Sequence, residues 1–111
     1  MRVITITSDG VVSDTQITPD YDSISNAVGG WIEHISLIKD DSFNWASMYV
    51  NEEGKIIHLP YNKIATALYQ RGRITDDFIA GDVIIFGPVS DQGDEQDITD
   101  DILTEIQGMV G

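Results

Sequence analysis

A chain of 111 residues with 41% hydrophobic side chains is long enough to bury one core and too apolar to be disordered throughout. It has no cysteine, which excludes disulfides and thiolate metal sites, and its apolar runs stop well short of a membrane span. A formal charge of −13 sets it against phosphate backbones and anionic lipid, so neither direct nucleic-acid binding nor membrane contact is expected.

Residues 2–7 alternate branched apolar and polar side chains, and Asp9-Gly10 separates them from a second such run at 11–17; this pattern predicts a β-hairpin. Tyr21, Ile24, Ala27 and Val28 then recur at helical spacing, with Gly29-Gly30 as the C-terminal stop. Residues 31–38 carry isoleucine and leucine on both faces, which suits a central strand covered on both sides. Residues 39–44 read as a polar turn. A second hairpin is expected from 47–50 and 55–59 around Asn51-Glu52-Glu53-Gly54, with Gly54 in the left-handed position.

Pro60-Tyr61 ends that hairpin, and Asn62 is placed to cap a helix running to about Gln70. Val83, Ile84, Ile85 and Phe86 form a short, continuously apolar strand between Gly81 and Gly87-Pro88. After a polar loop at 90–96, a last helix is expected over 99–107, with Ile98, Ile102, Leu103 and Ile106 facing inward. The sum is a single α+β domain over residues 1–111: a mostly antiparallel sheet of five or six strands and three short helices.

Charge is the strongest functional signal. Residues 1–73 hold nine acids and all six bases, a net of −3, whereas the acidic region 76–105 holds ten acids and no base. Asp97, Asp100, Asp101 and Glu105 are spaced to lie on one helical stripe, and Asp91, Asp94 and Glu95 precede them. Part of this is ordinary helix chemistry, because Asp100 and Asp101 occupy a first turn where the dipole favours anions and Thr99 is a natural cap. The seven carboxylates together would imitate a phosphate track for the Lys and Arg side chains of a basic partner. With Gly at its third position, the segment 91–97 does not follow an EF-hand loop.

Other chemistry is weakly encoded. His34 and His58 lie on separate expected strands without metal-ligand spacing, so no metal and no cofactor is expected. There is no G-x-S-x-G, Walker A or G-x-G-x-x-G, which points to a binding protein rather than an enzyme. An alternative ligand pocket would use Trp31, Trp45, Glu52, Glu53, Lys55, Tyr61 and Asn62, for sequestering a nucleotide-like signal if Lys63, Arg71 and Arg73 converge on it. A structural or interaction module is the third reading.

Four segments carry a resemblance: GGWIE at 29–33, YVNEEGK at 49–55, LPYNKIAT at 59–66 and IAGDVIIFG at 79–87. In that order they resemble a family of small domains of unknown function from bacteriophages, mobile elements and actinobacteria, over about residues 21–87. The resemblance brings no catalytic residue and no ligand. It implies a phage or mobile-element setting in the cytoplasm of a bacterial host, where small acidic proteins often counter host defence. The expected function is therefore inhibition of a basic, nucleic-acid-binding host protein by an acidic DNA-mimic surface made of Asp91, Asp94, Glu95, Asp97, Asp100, Asp101 and Glu105.

Overall fold

In the computed structural model, which describes residues 1–110, two antiparallel hairpins are joined by the last strand of the chain. The first hairpin is β1 (Arg2–Ile6) with β2 (Val12–Gln16), closed by a five-residue connection in which Gly10 has a φ of +91°. The second is β3 (Ile32–Lys39) with β4 (Ser42–Asn51). Strand β5 (Val83–Phe86) lies between β1 and β4 and is antiparallel to both, giving the order β2-β1-β5-β4-β3. The sheet is antiparallel throughout, and with three helices the α+β class holds.

Alternation along the strands builds two cores. Ile4, Ile6, Ala46, Met48, Val50, Val83 and Ile85 face helices α2 (Lys63–Gln70) and α3 (Asp100–Gln107), which contribute Ile64, Leu68, Ile102 and Ile106. Val3, Tyr49, Ile84 and Phe86 face the opposite side and meet Ile24 and Val28 of α1 (Tyr21–Val28). All four β5 side chains are buried, as a strand covered on both faces requires.

The helix ends follow local rules. Asp20 caps α1 by accepting from the Ser23 N–H at 2.8 Å, and Gly29, at a φ of +81°, closes it with its N–H on the Ser25 carbonyl. Thr99 caps α3 through the Ile102 N–H. Asn62 does more than cap α2. Its Oδ1 accepts from Ala65 N–H at 3.0 Å, while its Nδ2 donates to the carbonyls of Ile6 at 3.1 Å and Gly81 at 2.9 Å. That one buried amide ties a helix start to β1 and to the entry of β5.

Two expectations are corrected. The second hairpin is not 47–50 with 55–59: β4 begins at Ser42, pairs along β3, and the connection is the tight Asp40-Asp41 turn, with Asp40 at a φ of +52°. Residues 52–58 instead coil into turns, with Ile57 N–H on the Glu53 carbonyl and Leu59 N–H on the Gly54 carbonyl. Gly54 is not left-handed; it is buried where a Cβ would lie 2.7 Å from the Ala80 carbonyl oxygen. Its hydrogen atom is required by close approach, not by a positive φ. The second correction concerns residues 31–38, which form the outermost strand rather than a central one. The Arg73 guanidinium donates to the Ser36 carbonyl on that strand at 2.6 Å.

Asn62→Ala removes the cap and leaves two buried carbonyls without their donor, and is expected to lower the unfolding free energy by about 2–4 kcal/mol in urea denaturation. Asn62→Ser, which restores only the cap, is expected to fall between the two.

Candidate functional site

The sheet register divides the molecule into two ends. At the Phe86 end of β5 lie Arg2, the Asp40-Asp41 turn, the loop 88–97 and the start of α3. This end gathers Asp40, Asp41, Asp91, Asp94, Glu95, Asp97, Asp100 and Asp101. The acids 40 and 41, which sequence reading left in a turn, join the C-terminal ones only through the β3–β4 hairpin.

The loop is held in place by hydrogen bonds. Gly87 N–H donates to the Gln96 carbonyl at 2.9 Å, Gln96 Nε2 to the Pro88 carbonyl at 2.6 Å, and Asn44 Nδ2 to the Val89 carbonyl at 3.0 Å. A tight turn inside it is closed by Gly93 N–H on the Ser90 carbonyl, with Gly93 at a φ of +84°. At Gly87 a Cβ would collide with the Asp97 carbonyl oxygen, so only glycine lets the loop fold back so closely.

The seven predicted carboxylates do not act alike. Glu95 is half-buried and accepts from the Tyr49 hydroxyl, while its Oε2 is buried without a partner among the described residues. Asp97 accepts the Arg2 backbone N–H at 2.9 Å. Asp100 accepts from Arg2 Nη1 at 2.7 Å, and Asp14 accepts from the Nε–Nη2 edge of the same guanidinium, at 3.1 and 3.0 Å. Glu105 is half-buried between Lys39 at 3.3 Å and Arg71 at 3.5 Å. Asp91, Asp94 and Asp101 are exposed and make no ion pair among the described residues. The single stripe thus resolves into four wired acids and three free ones, and Asp97 precedes the helix rather than lying on it.

Sequence reading found no base beside these acids because the bases arrive from far away along the chain, on β1, β3 and the end of α2. Their arrangement surrounds Trp45. Lys39 lies 5.7 Å and Arg71 6.0 Å from its ring, and Glu105 pairs with both cations. A shallow groove of about 630 Å³ runs beside this cluster, lined by Asp40, Asp41, Ser42, Trp45, Asp101 and Thr104 among others.

The alternative pocket does not assemble. Trp31 is exposed against Tyr21, with ring centres 6.5 Å apart, while Trp45 belongs to the acidic end. Asn62 is the buried cap already described, and Tyr61 lies on the surface against Phe78. Glu53 is exposed in the 52–58 turn. Only Glu52 and Lys55 line a common cleft, with Glu33, Asp77 and Phe78; at about 150 Å³ it is smaller than the roughly 300 Å³ at which small-molecule sites begin. The cations do not converge on it either: Arg71 goes to Glu105, and Arg73 to the Tyr69 and Ser36 carbonyls. His34 packs against Tyr49 and His58 stands exposed at a φ of +58°. No three His, Asp or Glu side chains group as a metal centre would require among the described residues, and no helix there is long and apolar enough to cross a membrane.

Partners set the titration of several groups. The Arg2 guanidinium holds the Asp14 carboxyl below its usual range, Lys55 does the same for Asp77, and the Ser23 N–H does so for Asp20. The stability these groups give is present above the ordinary carboxylate range and lost as pH falls through the depressed values. Tyr49 moves the other way. Burial, and then the Glu95 carboxylate, push its hydroxyl well above its normal value of 10.0.

The chain belongs to the DUF3846 family, a domain of unknown function, which it matches over residues 1–111. The match includes the acidic C-terminal region, which the resemblance over residues 21–87 left outside. No curated protein and no solved structure matches the chain.

Because the folded state holds the Tyr49 proton more tightly than the unfolded chain, the stability from that group is complete below about pH 10 and declines as pH rises above it. Urea midpoints measured from pH 8 to 11 should fall less steeply at the alkaline end for Tyr49→Phe than for the parent chain.

Proposed function

We propose that this protein is a non-enzymatic binder of a basic, nucleic-acid-binding partner, which it inhibits by offering carboxylates where phosphates would sit. The setting suggested by the resemblance is a phage or mobile element acting against a host defence protein. One observation carries the reading. Of nineteen Asp and Glu residues, only Asp14, Asp77, Asp100 and Glu105 are in ion pairs among the described residues, which leaves fifteen outside any pair.

Asp40, Asp41, Asp91, Asp94 and Asp101 are the exposed acids at one end that make no ion pair among the described residues and do not bond Arg2 as Asp97 and Asp100 do, and they stand on hydrogen-bonded backbone rather than on a loose tail. Fixed charges lose little conformational freedom on docking, which favours affinity. Their summed field steers a cationic partner inward and repels nucleic acid competing for the same partner. The wired acids have a different role. Asp97, Asp100 and Glu105 anchor the loop and α3, so that the free acids are held at a set position.

The predicted contact set accordingly narrows from seven carboxylates to Asp91, Asp94 and Asp101, joined by Asp40 and Asp41. Immobilised protein should capture nucleic-acid-binding proteins from a bacterial lysate, release them as salt rises, and lose them to added duplex DNA. A column carrying Asp91→Asn, Asp94→Asn and Asp101→Asn together should retain at least about tenfold less at low salt. Undiminished capture by the triple variant, folded by circular dichroism, would sink the reading.

A further inference from the structure

Strand β3 is an outer strand, with β4 on one side and, among the described residues, no strand on the other. Its pairing fixes which backbone groups face outward. Glu52 N–H donates to the Trp31 carbonyl at 2.8 Å, so Trp31 turns toward β4, and by the alternation of an antiparallel ladder so do Glu33, Ile35 and Leu37. Ile32, His34 and Ser36 turn their backbone groups away from it. The Arg73 guanidinium reaches the Ser36 carbonyl at 2.6 Å from the segment after α2, in agreement with that parity. Among the described residues, no hydrogen bond within the chain takes the N–H or carbonyl of His34 or the N–H of Ser36.

The two halves of this edge differ. Beyond Ser36 it is closed. A register shift lies between Leu37 and Lys39, Arg73 holds the Ser36 carbonyl, and Gly72 packs so near Ile38 that a Cβ would lie 2.6 Å from its side chain. Bulges and covering segments of this kind keep sheet edges from pairing. From Ile32 to Ser36 the edge is open, with Glu33 and His34 exposed. Beside it lies the cleft of about 150 Å³, to which β3 contributes Glu33 and Ile35 and whose other walls include Glu52, Tyr69, Asp77 and Phe78. That volume suits one long side chain rather than a small molecule.

We propose that the open half of β3 is a site of strand addition for an extended basic segment of another protein. An added strand takes the outward N–H and carbonyl of His34. Its residues on either side of that pair direct their side chains to the face that carries Glu33 and Ile35, at the cleft. Charge selects the occupant. Of the cleft's acids, Asp77 is already paired with Lys55, whereas Glu33 and Glu52 pair with no base among the described residues. A Lys or Arg opposite Glu33 gains an unlike-charge cross-strand pair. The cleft's rings accept cations, since Lys55 lies 5.0 Å over Phe78 and Arg73 4.9 Å over Tyr69. The same carboxylates oppose an acidic strand, and a second copy of a −13 chain is disfavoured for that reason. Arg73 sets where the added strand ends. The site uses none of the carboxylates at the Phe86 end, so it does not rest on the function proposed for them.

The probe is the peptide acetyl-Thr-Lys-Val-Lys-Thr-amide, with valine opposite His34 and the two lysines toward Glu33 and the cleft. At about 10 mM peptide the His34 and Ser36 amide protons should exchange at least about threefold more slowly, read by NMR. Methylating the valine nitrogen removes a backbone donor and keeps both charges, and should abolish the slowing. Glu33→Lys should weaken the lysine peptide about fivefold and admit a peptide with glutamate in both lysine places. Glu33 is exposed, so folding should persist, and circular dichroism checks it; should the variant unfold, the glutamate peptide on the parent chain, expected not to bind, tests the same charge. Three results would overturn the proposal: no slowing at His34 and Ser36, equal slowing by the methylated peptide, or a peptide-free chain already at twice 12.3 kDa with these amides protected.

Discussion

Strand β5 is the piece on which everything else rests. Four residues, Val83–Phe86, pair on one side with β1 and on the other with β4, and among the described residues no other strand joins the two hairpins. Ile85 alone faces Ile4 across one ladder and Met48 across the other. Both hairpins are local structures that can form from neighbouring sequence. Their union requires the chain to return from residue 85 to residue 4, a contact of high sequence separation that is entropically costly to close. The insertion is favoured because each side chain of the strand enters a core, Val83 and Ile85 on the α2–α3 side and Ile84 and Phe86 on the α1 side. The candidate site hangs directly from the end of this strand, through Gly87 and its bond to Gln96. The acidic surface is thus a consequence of sheet closure, and a chain with β5 undocked would carry the same charges in no defined arrangement.

The few bases explain how so acidic a chain remains ordered at its charged end. Arg2 links Asp14 on β2 with Asp100 on α3, while Lys39 and Arg71 meet at Glu105. Partly exposed ion pairs of this kind add little net stability. Their effect is positional: each joins elements far apart in the chain, and together they fix α3 against the sheet. The unpaired acids remain at the periphery, where water solvates them at little cost. A sequence with more bases would neutralise the very surface that the four paired bases leave free.

Where a structural decision was local, the sequence showed it. Asp9-Gly10, the Gly29 stop, the Asn62 and Thr99 caps and the run Val83–Phe86 each depend on a few adjacent residues, and each element appeared within a residue or two of expectation. The β3–β4 hairpin was missed because Asp40-Asp41 has no glycine, whereas Asn51-Glu52-Glu53-Gly54 has the composition of a hairpin turn. What decides between them is tertiary: Gly54 is needed against the Ala80 carbonyl, a contact 26 positions away that no local pattern contains. The site was legible only as composition. That Asp100 is paired while Asp101 is free follows from Arg2, 98 residues earlier. The two tryptophans looked alike in sequence, yet one lies among cations at the acidic end and the other is exposed near the opposite end.

In the contact proposed at the Phe86 end, attraction is long-ranged, depends on salt and is indifferent to fine shape, which suits fast capture of a protein with a phosphate-binding surface. Charge alone does not single out the Phe86 end, because the Val83 end carries Asp9, Glu33, Glu52, Asp77 and Asp82 as well. What differs is the support. At the Val83 end Asp77 is paired with Lys55 and Asp82 accepts the Ser8 N–H, whereas Asp91, Asp94 and Asp101 stand unpaired among the described residues on a hydrogen-bonded loop and the first turn of α3. Unpaired charges on a fixed backbone are the ones a cationic partner can meet without first breaking a bond within the chain.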